Sequence, residues 1–298
     1  MNPKQSNPML AYLTLSFGIL TISSSPILMR LADAPGPVTT FYRMAIATIV
    51  VAFPFYRHAK NSGGLNKTSL KIALLAGAFF ALDLATWSTG VMLAGATIPT
   101  LLANTAPVWV GLGAMVVFKE KLGGKFWVGL ILGILGSFVI FGMGIQEFNQ
   151  LTQASLLGLV AAIFYAAYFL SIQRAREKID YLTTFWLSSF SSAVGLLIIT
   201  TLLRQPLTGY GNKTYLYFLA IGLVTQVIGW LSSTHALGHL PASIVSPSLL
   251  LQPVLTGLMA GPILGEQFSN PQIVGGIIVL LGVLIIHYSR QPNKLKKT

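Results

Sequence analysis

The sequence predicts an all-α membrane protein of ten transmembrane helices, built as two inverted five-helix repeats. Three observations predict it: a composition starved of charge, a repeat at a spacing of 146 residues, and Lys and Arg confined to one set of loops. Charged residues make up 9% of the 298-residue chain and hydrophobic residues 54%, whereas soluble domains carry about 25% charge. Mean hydropathy is +0.73. So few charges cannot cover a soluble surface, so the first partner implied is the lipid bilayer. The formal net charge of +12 does not read as a nucleic-acid footprint, because the basic residues sit in short loops and not on one patch. The chain has no Cys, which excludes disulfides, thiolate metal sites and Cys nucleophiles.

Apolar runs of about 20 residues are long enough to cross a bilayer. Ten such runs occur, over 9–31, 37–57, 69–91, 95–117, 123–143, 153–173, 182–203, 213–235, 242–264 and 270–289. The first is too long for a signal-peptide core and lacks a small-residue cleavage pattern, so it is expected to be a retained helix. Short connections marked by Pro35-Gly36-Pro37, Gly63-Gly64, Gly123-Gly124, Pro206, Pro241 and Pro271 separate the runs.

The repeat is gapless. Of the 34 positions from 107 to 140, 12 are identical to the residue 146 later, among them Pro107 and Pro253, Gly111 and Gly257, Glu120 and Glu266, Gly136 and Gly282. It divides the chain into 1–148 and 149–298. With the N-terminus on the cytoplasmic side, 15 of the 19 Lys and Arg fall in inner loops and three (Arg30, Arg204, Lys213) in outer ones; Arg43 lies inside a helix. The positive-inside rule therefore places both termini in the cytoplasm and the chain in the cytoplasmic membrane. Five helices is an odd number, so the second unit starts on the opposite side and is upside down relative to the first. Inverted repeats are the build of many secondary transporters, with the site near the midplane. The alternatives are a duplicated membrane scaffold and an intramembrane enzyme.

Intramembrane ionisable groups cost about 2.5–3.5 kcal/mol each on the insertion scale, so they mark sites. The two clear cases are Arg43 in helix 2 and Asp83 in helix 3. Measured along each helix, both lie ~9–12 Å from the outer end at 1.5 Å per residue, so an Arg43–Asp83 ion pair is expected if the helices are neighbours. Such a pair either pins two helices together or leaves Asp83 as a proton carrier or contact for a cationic solute. Trp87 stands at i+4 from Asp83, and Gln226 and Trp230 repeat that spacing in helix 8. The indoles can stack on a flat or cationic solute, or simply pack.

Helix 4 carries Thr97, Thr100, Asn104, Pro107 and Gly111 on one face, and helix 9 carries Ser243, Ser246, Pro253 and Gly257 at matching shifts, with Ser248 and Gln252 nearby. Asn104 and Gln252 are site candidates because a buried amide needs partners. Pro107 and Pro253 are candidate hinges. Helix 1 adds Ser23, Ser24 and Ser25, and helix 6 adds Tyr165 and Tyr168 as cavity-wall candidates. Gly129, Gly133 and Gly136, with Gly275, Gly276 and Gly282, form close-packing faces that also suit a homodimer contact. His235 and His239 lack the Glu of a HExxH site, and no Walker loop is present, so neither a metal centre nor an ATP-driven pump is expected. No cofactor is implied.

Phe41-Tyr42-Arg43, Asp83-Leu84 to Trp87, Leu102-Ala103-Asn104-Thr105-Ala106-Pro107, and the Pro-to-Glu spans ending at Glu120 and Glu266 together resemble the drug/metabolite transporter superfamily, EamA type. The resemblance covers essentially the whole chain. It implies ten helices around a central cavity lined by helices 1, 3, 4, 6, 8 and 9. It also implies export of small-molecule substrates such as amino acids, related metabolites or cationic drugs. Proton coupling through Asp83 and facilitated diffusion both fit, and import or exchange on the same fold is the rival. The two Glu residues read as structural, near the starts of helices 5 and 10. Leu250 stands at the match of Asn104 and Ser189 at that of Arg43, so an ion-pair mechanism would belong to the first half alone.

Overall fold

A backbone in hydrocarbon must satisfy its own N–H and C=O groups, and a helix does so within one segment. The computed structural model describes residues 8–61, 67–94, 97–142, 153–265 and 269–290, and those residues form helices and connections with no strand. Ten helical spans follow the ten apolar runs: α1 Met9–Ala32, α2 Gly36–His58, α3 Lys67–Leu93, α4 Ile98–Val117, α5 Gly124–Ile140, α6 Gln153–Arg176, α7 Tyr181–Leu202, α8 Asn212–Ala236, α9 Ala242–Leu264 and α10 Asn270–Ser289. α5 is shorter than its apolar run. It has 17 residues, ~25 Å of rise, because the chain turns at Phe141 and Gly142, where φ is +69°. Outward-facing Ile49, Val116, Leu202 and Leu284 are exposed from the bundle, as expected of side chains that meet lipid tails.

Local sequence sets the ends. Asp180 caps α7 by accepting the Thr183 backbone N–H at 2.9 Å. Ser269 and Gln272 form a reciprocal capping box at the start of α10, with Pro271 in its first turn.

Four spans are irregular. α1 breaks at Ser23 and Ser24, α4 at Asn104 and Thr105, α9 passes through a 3₁₀ turn at Leu249–Leu251, and α8 winds as a π-helix over Ile221–Trp230. A proline opens the resumed helix after each of the first three breaks: Pro26, Pro107 and Pro253. Proline lacks an N–H and fits a first turn, where that donor would be unpaired anyway. Pro107 and Pro253 thus sit at helix restarts and not as kinks inside continuous helices.

The packing has the two-fold pattern of an inverted repeat. α3 packs on α6 as α8 packs on α1; α3 packs on α7 as α8 packs on α2; α2 meets α7, α4 meets α9 and α5 meets α10 across the axis. The α5–α10 contact is glycine against glycine. A Cβ on Gly136 would lie 2.7 Å from the Gly275 carbonyl oxygen, and one on Gly275 would lie 2.7 Å from the Gly136 carbonyl oxygen. The glycine faces that suit a homodimer contact are therefore consumed within a single chain, because only glycine lets these backbones meet.

Candidate functional site

α3 presents Phe80, Asp83, Leu84 and Trp87 at i, i+3, i+4 and i+7, a single helical face. They wall a cavity of about 140 Å³, completed by Ser25 and Pro26 of α1, Arg43 of α2, Thr100, Ala103 and Asn104 of α4, Tyr165 of α6, Trp230 of α8 and Gln252 of α9. Each helix break opens onto it: Ser25 and Pro26 after the α1 break, Asn104 within the α4 break, Gln252 after the 3₁₀ turn, and Trp230 at the end of the π-helix. Irregular backbone at membrane depth is tolerated where it lines a cavity, and π-helical turns cluster at functional sites.

Of the residues singled out in the sequence, Arg43, Asp83, Trp87, Asn104, Tyr165, Trp230 and Gln252 share this lining. Three placements differ from expectation. Among the described residues, no ion pair joins Arg43 to Asp83. Arg43 donates Nε to Gln226 Oε1 at 2.7 Å, across the boundary between the halves. Its guanidinium carbon lies 5.8 Å from the ring centres of both Phe80 and Trp230, a distance at which the aromatic faces attract the cation. Matched depth was therefore insufficient for pairing, since a side chain's direction around the helix also decides what it meets. Gln226 is 1% exposed and lies behind the lining, as Arg43's acceptor. Tyr168 is also set back: it is 1% exposed and stacks on Phe80 with ring centres 4.3 Å apart.

The remaining polar groups are unevenly satisfied. Trp87 Nε1 donates to Thr100 Oγ1 at 2.9 Å. Asn104 Nδ2 and Trp230 Nε1 are buried without a hydrogen-bond partner. Asp83 is 6% exposed, and its carboxylate has no hydrogen bond or ion pair among the described residues. The cavity thus offers one cation, one carboxyl and two unpaired N–H donors between aromatic walls. Buried polar groups are normally paired, so a solute of mixed polarity suits this lining. Ser25, singled out with the helix 1 serines, also reaches the lining; sequence reading passed over Phe80 and Pro26, and the proline was the available signal for a break in α1.

The lining residues lie in the later parts of α1 and α3 and in the first half of α4, towards the face opposite the Lys- and Arg-bearing loops. Below the cavity, towards the basic face, Tyr168, Phe169, Ile172 and Val245 are packed, each no more than 1% exposed. Near that face, Glu120 does not cap α5. Its Oε2 accepts from Ser243 Oγ at 2.5 Å and pairs with Arg290 Nη2 at 2.5 Å, because it stands four residues before Gly124, clear of the helix end. Its repeat mate Glu266 lies outside the described residues.

The sequence model of the EamA-like transporter family matches residues 9–142 and again residues 152–288. The uncharacterized transporter YdfC of Bacillus subtilis is 24% identical over 203 residues, 68% of this chain; the chain spans less than two thirds of YdfC's length, 65%. The S-adenosylmethionine uptake transporter of Rickettsia felis is 23% identical over 258 residues, covering 86% of this chain and 84% of that one. A solved crystal structure superposes with a TM-score of 0.78 at 15% identity, covering 95% of this chain and 99% of that one; at that identity the likeness shows the fold.

Proposed function

The chain belongs to the EamA-like transporter family, and from that membership we propose that it exports small organic solutes by alternating access around the cavity between its two halves. Membership places it among multi-pass membrane transporters and not among enzymes. The solutes we propose are amino acids and related metabolites, or cationic drugs. The membrane is the cytoplasmic one with both termini inside, from the one-sided Lys and Arg. The moving units are residues 1–148 and 149–298, pivoting at the helix restarts of Pro107 and Pro253.

One observation carries the reading. Asp83 faces the cavity as a buried carboxyl with no hydrogen-bond or ion-pair partner among the described residues. An intramembrane carboxyl without a fixed partner takes a proton or a cationic group in its place, which is what coupled exchange requires. Arg43, held on Gln226, tunes the field at that site. Trp87, Tyr165 and Trp230 supply flat walls, and Asn104 and Gln252 supply amide contacts.

The test is counterflow of labelled amino acids and organic cations in proteoliposomes, at several pH values, for the wild type and Asp83→Asn. The reading expects exchange by the wild type, and loss of exchange or of its pH dependence in the variant. Unchanged rate and unchanged pH profile would refute the role of Asp83. A second reading, uptake, is favoured by the Rickettsia felis relative, which is named for it. Placing the label on one side and then the other separates the two directions.

A further inference from the structure

A second pocket lies at the basic face, between the last turn of α6 and the turn that joins α8 to α9. Its volume is about 220 Å³, against about 140 Å³ for the cavity that Asp83 faces, and the two share no lining residue. Gln173, Arg176 and Glu177 supply one wall, and residues 237–241 supply the other. Gln173 and Arg176 stand three residues apart near the end of a helix, so they share a face.

Arg176 is fixed by the protein itself. Its Nε donates to the Thr234 carbonyl oxygen at 3.1 Å, and its Nη1 to the Ile179 carbonyl oxygen at 2.6 Å. The guanidinium carbon stands 5.9 Å from the Tyr181 ring centre. A guanidinium has five N–H donors, and these two bonds leave three of them without an acceptor among the described residues. Nη2 lies against position 238, where a Cβ would overlap it, so Gly238 leaves the guanidinium its room.

Gln173 is oriented in the same way. Its Oε1 accepts the Ala242 backbone N–H at 2.6 Å. A backbone N–H can bond only the oxygen of a side-chain amide, so the Gln173 NH₂ is turned elsewhere and has no acceptor among the described residues. The one carboxylate in the lining, Glu177, already takes Arg174 Nη1 on both oxygens, at 3.1 and 2.8 Å. Buried Leu237 and Leu240, with Pro241, add an apolar wall.

Donors shut away from water are normally paired, so unspent donors on a half-buried cation mark the place of an acceptor. A guanidinium fork fits a carboxylate through two parallel hydrogen bonds. A single cation matches a single negative charge, and an apolar wall beside a few placed polar groups is the make-up of a small-molecule site. We propose that this pocket is a second binding site, separate from the cavity, which takes the carboxylate of a small organic acid on Arg176 and Gln173 and its carbon body against Leu237, Leu240 and Pro241. The site stands on its own geometry and does not depend on the transport reading.

The test titrates the purified protein in detergent with butyrate, and with butyramide as its uncharged counterpart, by saturation-transfer-difference NMR. Butyrate should bind and butyramide should not. Gln173→Glu keeps an oxygen for the Ala242 N–H and sets a second carboxylate where the NH₂ stood. It should weaken butyrate binding roughly tenfold or more, the scale of a hydrogen bond to a charged group. Arg176→Lys keeps the charge and loses the fork, and Gly238→Ala pushes a methyl group into the guanidinium; both should weaken binding in the same direction. Thermal unfolding followed by tryptophan fluorescence checks that each variant is folded, and Gln173→Glu covers the case in which loss of the Arg176 bonds impairs folding. Butyramide binding as well as butyrate, or butyrate binding unchanged in folded Gln173→Glu, would overturn the site. So would butyrate binding that is lost in Arg43→Gln and kept in Gln173→Glu, since the anion would then sit in the cavity. Butyrate binding with the expected losses but no counterflow would sink the transport reading alone, and counterflow with no butyrate binding would sink the pocket alone.

Discussion

Adding one methyl group to the α5–α10 seam should destabilise the whole protein, and the structure says at which glycines. A Cβ at Gly136 would lie 2.7 Å from both the Gly275 carbonyl oxygen and the Val279 backbone nitrogen; at Gly282 it would lie 2.5 Å from the Gly133 nitrogen. Ordinary Cβ contacts begin near 3.4 Å, so the shortfall at Gly136 is about 0.7 Å against backbone that has no rotamer to change. The helices must move apart instead. A radial gap of ~0.5–1 Å forfeits a quarter to a half of each dispersion contact, and overpacking of this kind costs ~1–3 kcal/mol. Gly136→Ala and Gly275→Ala should cost the same, because each meets the other's carbonyl at 2.7 Å. Gly276→Ala is the control: its nearest neighbour is Val254 Cγ1 at 3.6 Å, so it should stay within about 0.5 kcal/mol of the wild type. Thermal unfolding in detergent, followed by tryptophan fluorescence, reads the difference. Gly136→Ala and Gly275→Ala indistinguishable from the wild type, or Gly276→Ala equally harmful, would refute the seam. A fixed seam also concentrates any motion of the halves on the helices that line the cavity.

Gln226→Leu should lower thermal stability by ~1.5–3 kcal/mol, the worth of a hydrogen bond to a charged group, since Arg43 Nε loses its acceptor; Gln226→Glu should not. Trp87→Phe and Thr100→Val each break the same 2.9 Å bond. Each should cost ~0.5–1.5 kcal/mol, and the double variant should cost less than their sum in a thermal-stability cycle. Asp180→Ala should cost ~1 kcal/mol through loss of the α7 cap. Burial works against the Asp180 carboxylate, but the Thr183 bonds and His58 outweigh it and hold its pKa below the ordinary 3.8. A carboxylate with a depressed folded pKa stabilises fully above its unfolded value, and that stabilisation fades as pH falls through the depressed one. The difference between Asp180→Ala and wild type should therefore shrink in acid, as unfolding across pH would show.

The ten spans were legible because a bilayer forces each helix to be apolar for its full length, and the inversion was legible because each repeat holds an odd number of spans. The glycine faces were legible as packing surfaces, but not which partner they meet, since close approach of backbones looks the same within and between chains. The failures share a cause. Spacing along a helix gives depth, while contact also needs direction around it. Arg43 and Asp83 match in depth, yet Arg43 turns to Gln226 in the other half. Tyr165 and Tyr168 are three residues apart, yet only Tyr165 reaches the lining. The π-helix of α8 has no sequence signature comparable to the prolines that follow the three breaks.

The account stands most directly on solute exchange through the cavity that Asp83 faces. Counterflow in proteoliposomes over a panel of amino acids and organic cations, wild type against Asp83→Asn across pH, measures it. The account expects exchange of at least one class by the wild type, with that exchange or its pH dependence lost in the variant while the protein stays folded. No exchange of any class by folded wild-type protein, or an Asp83→Asn variant with the same rate and pH profile, would contradict it.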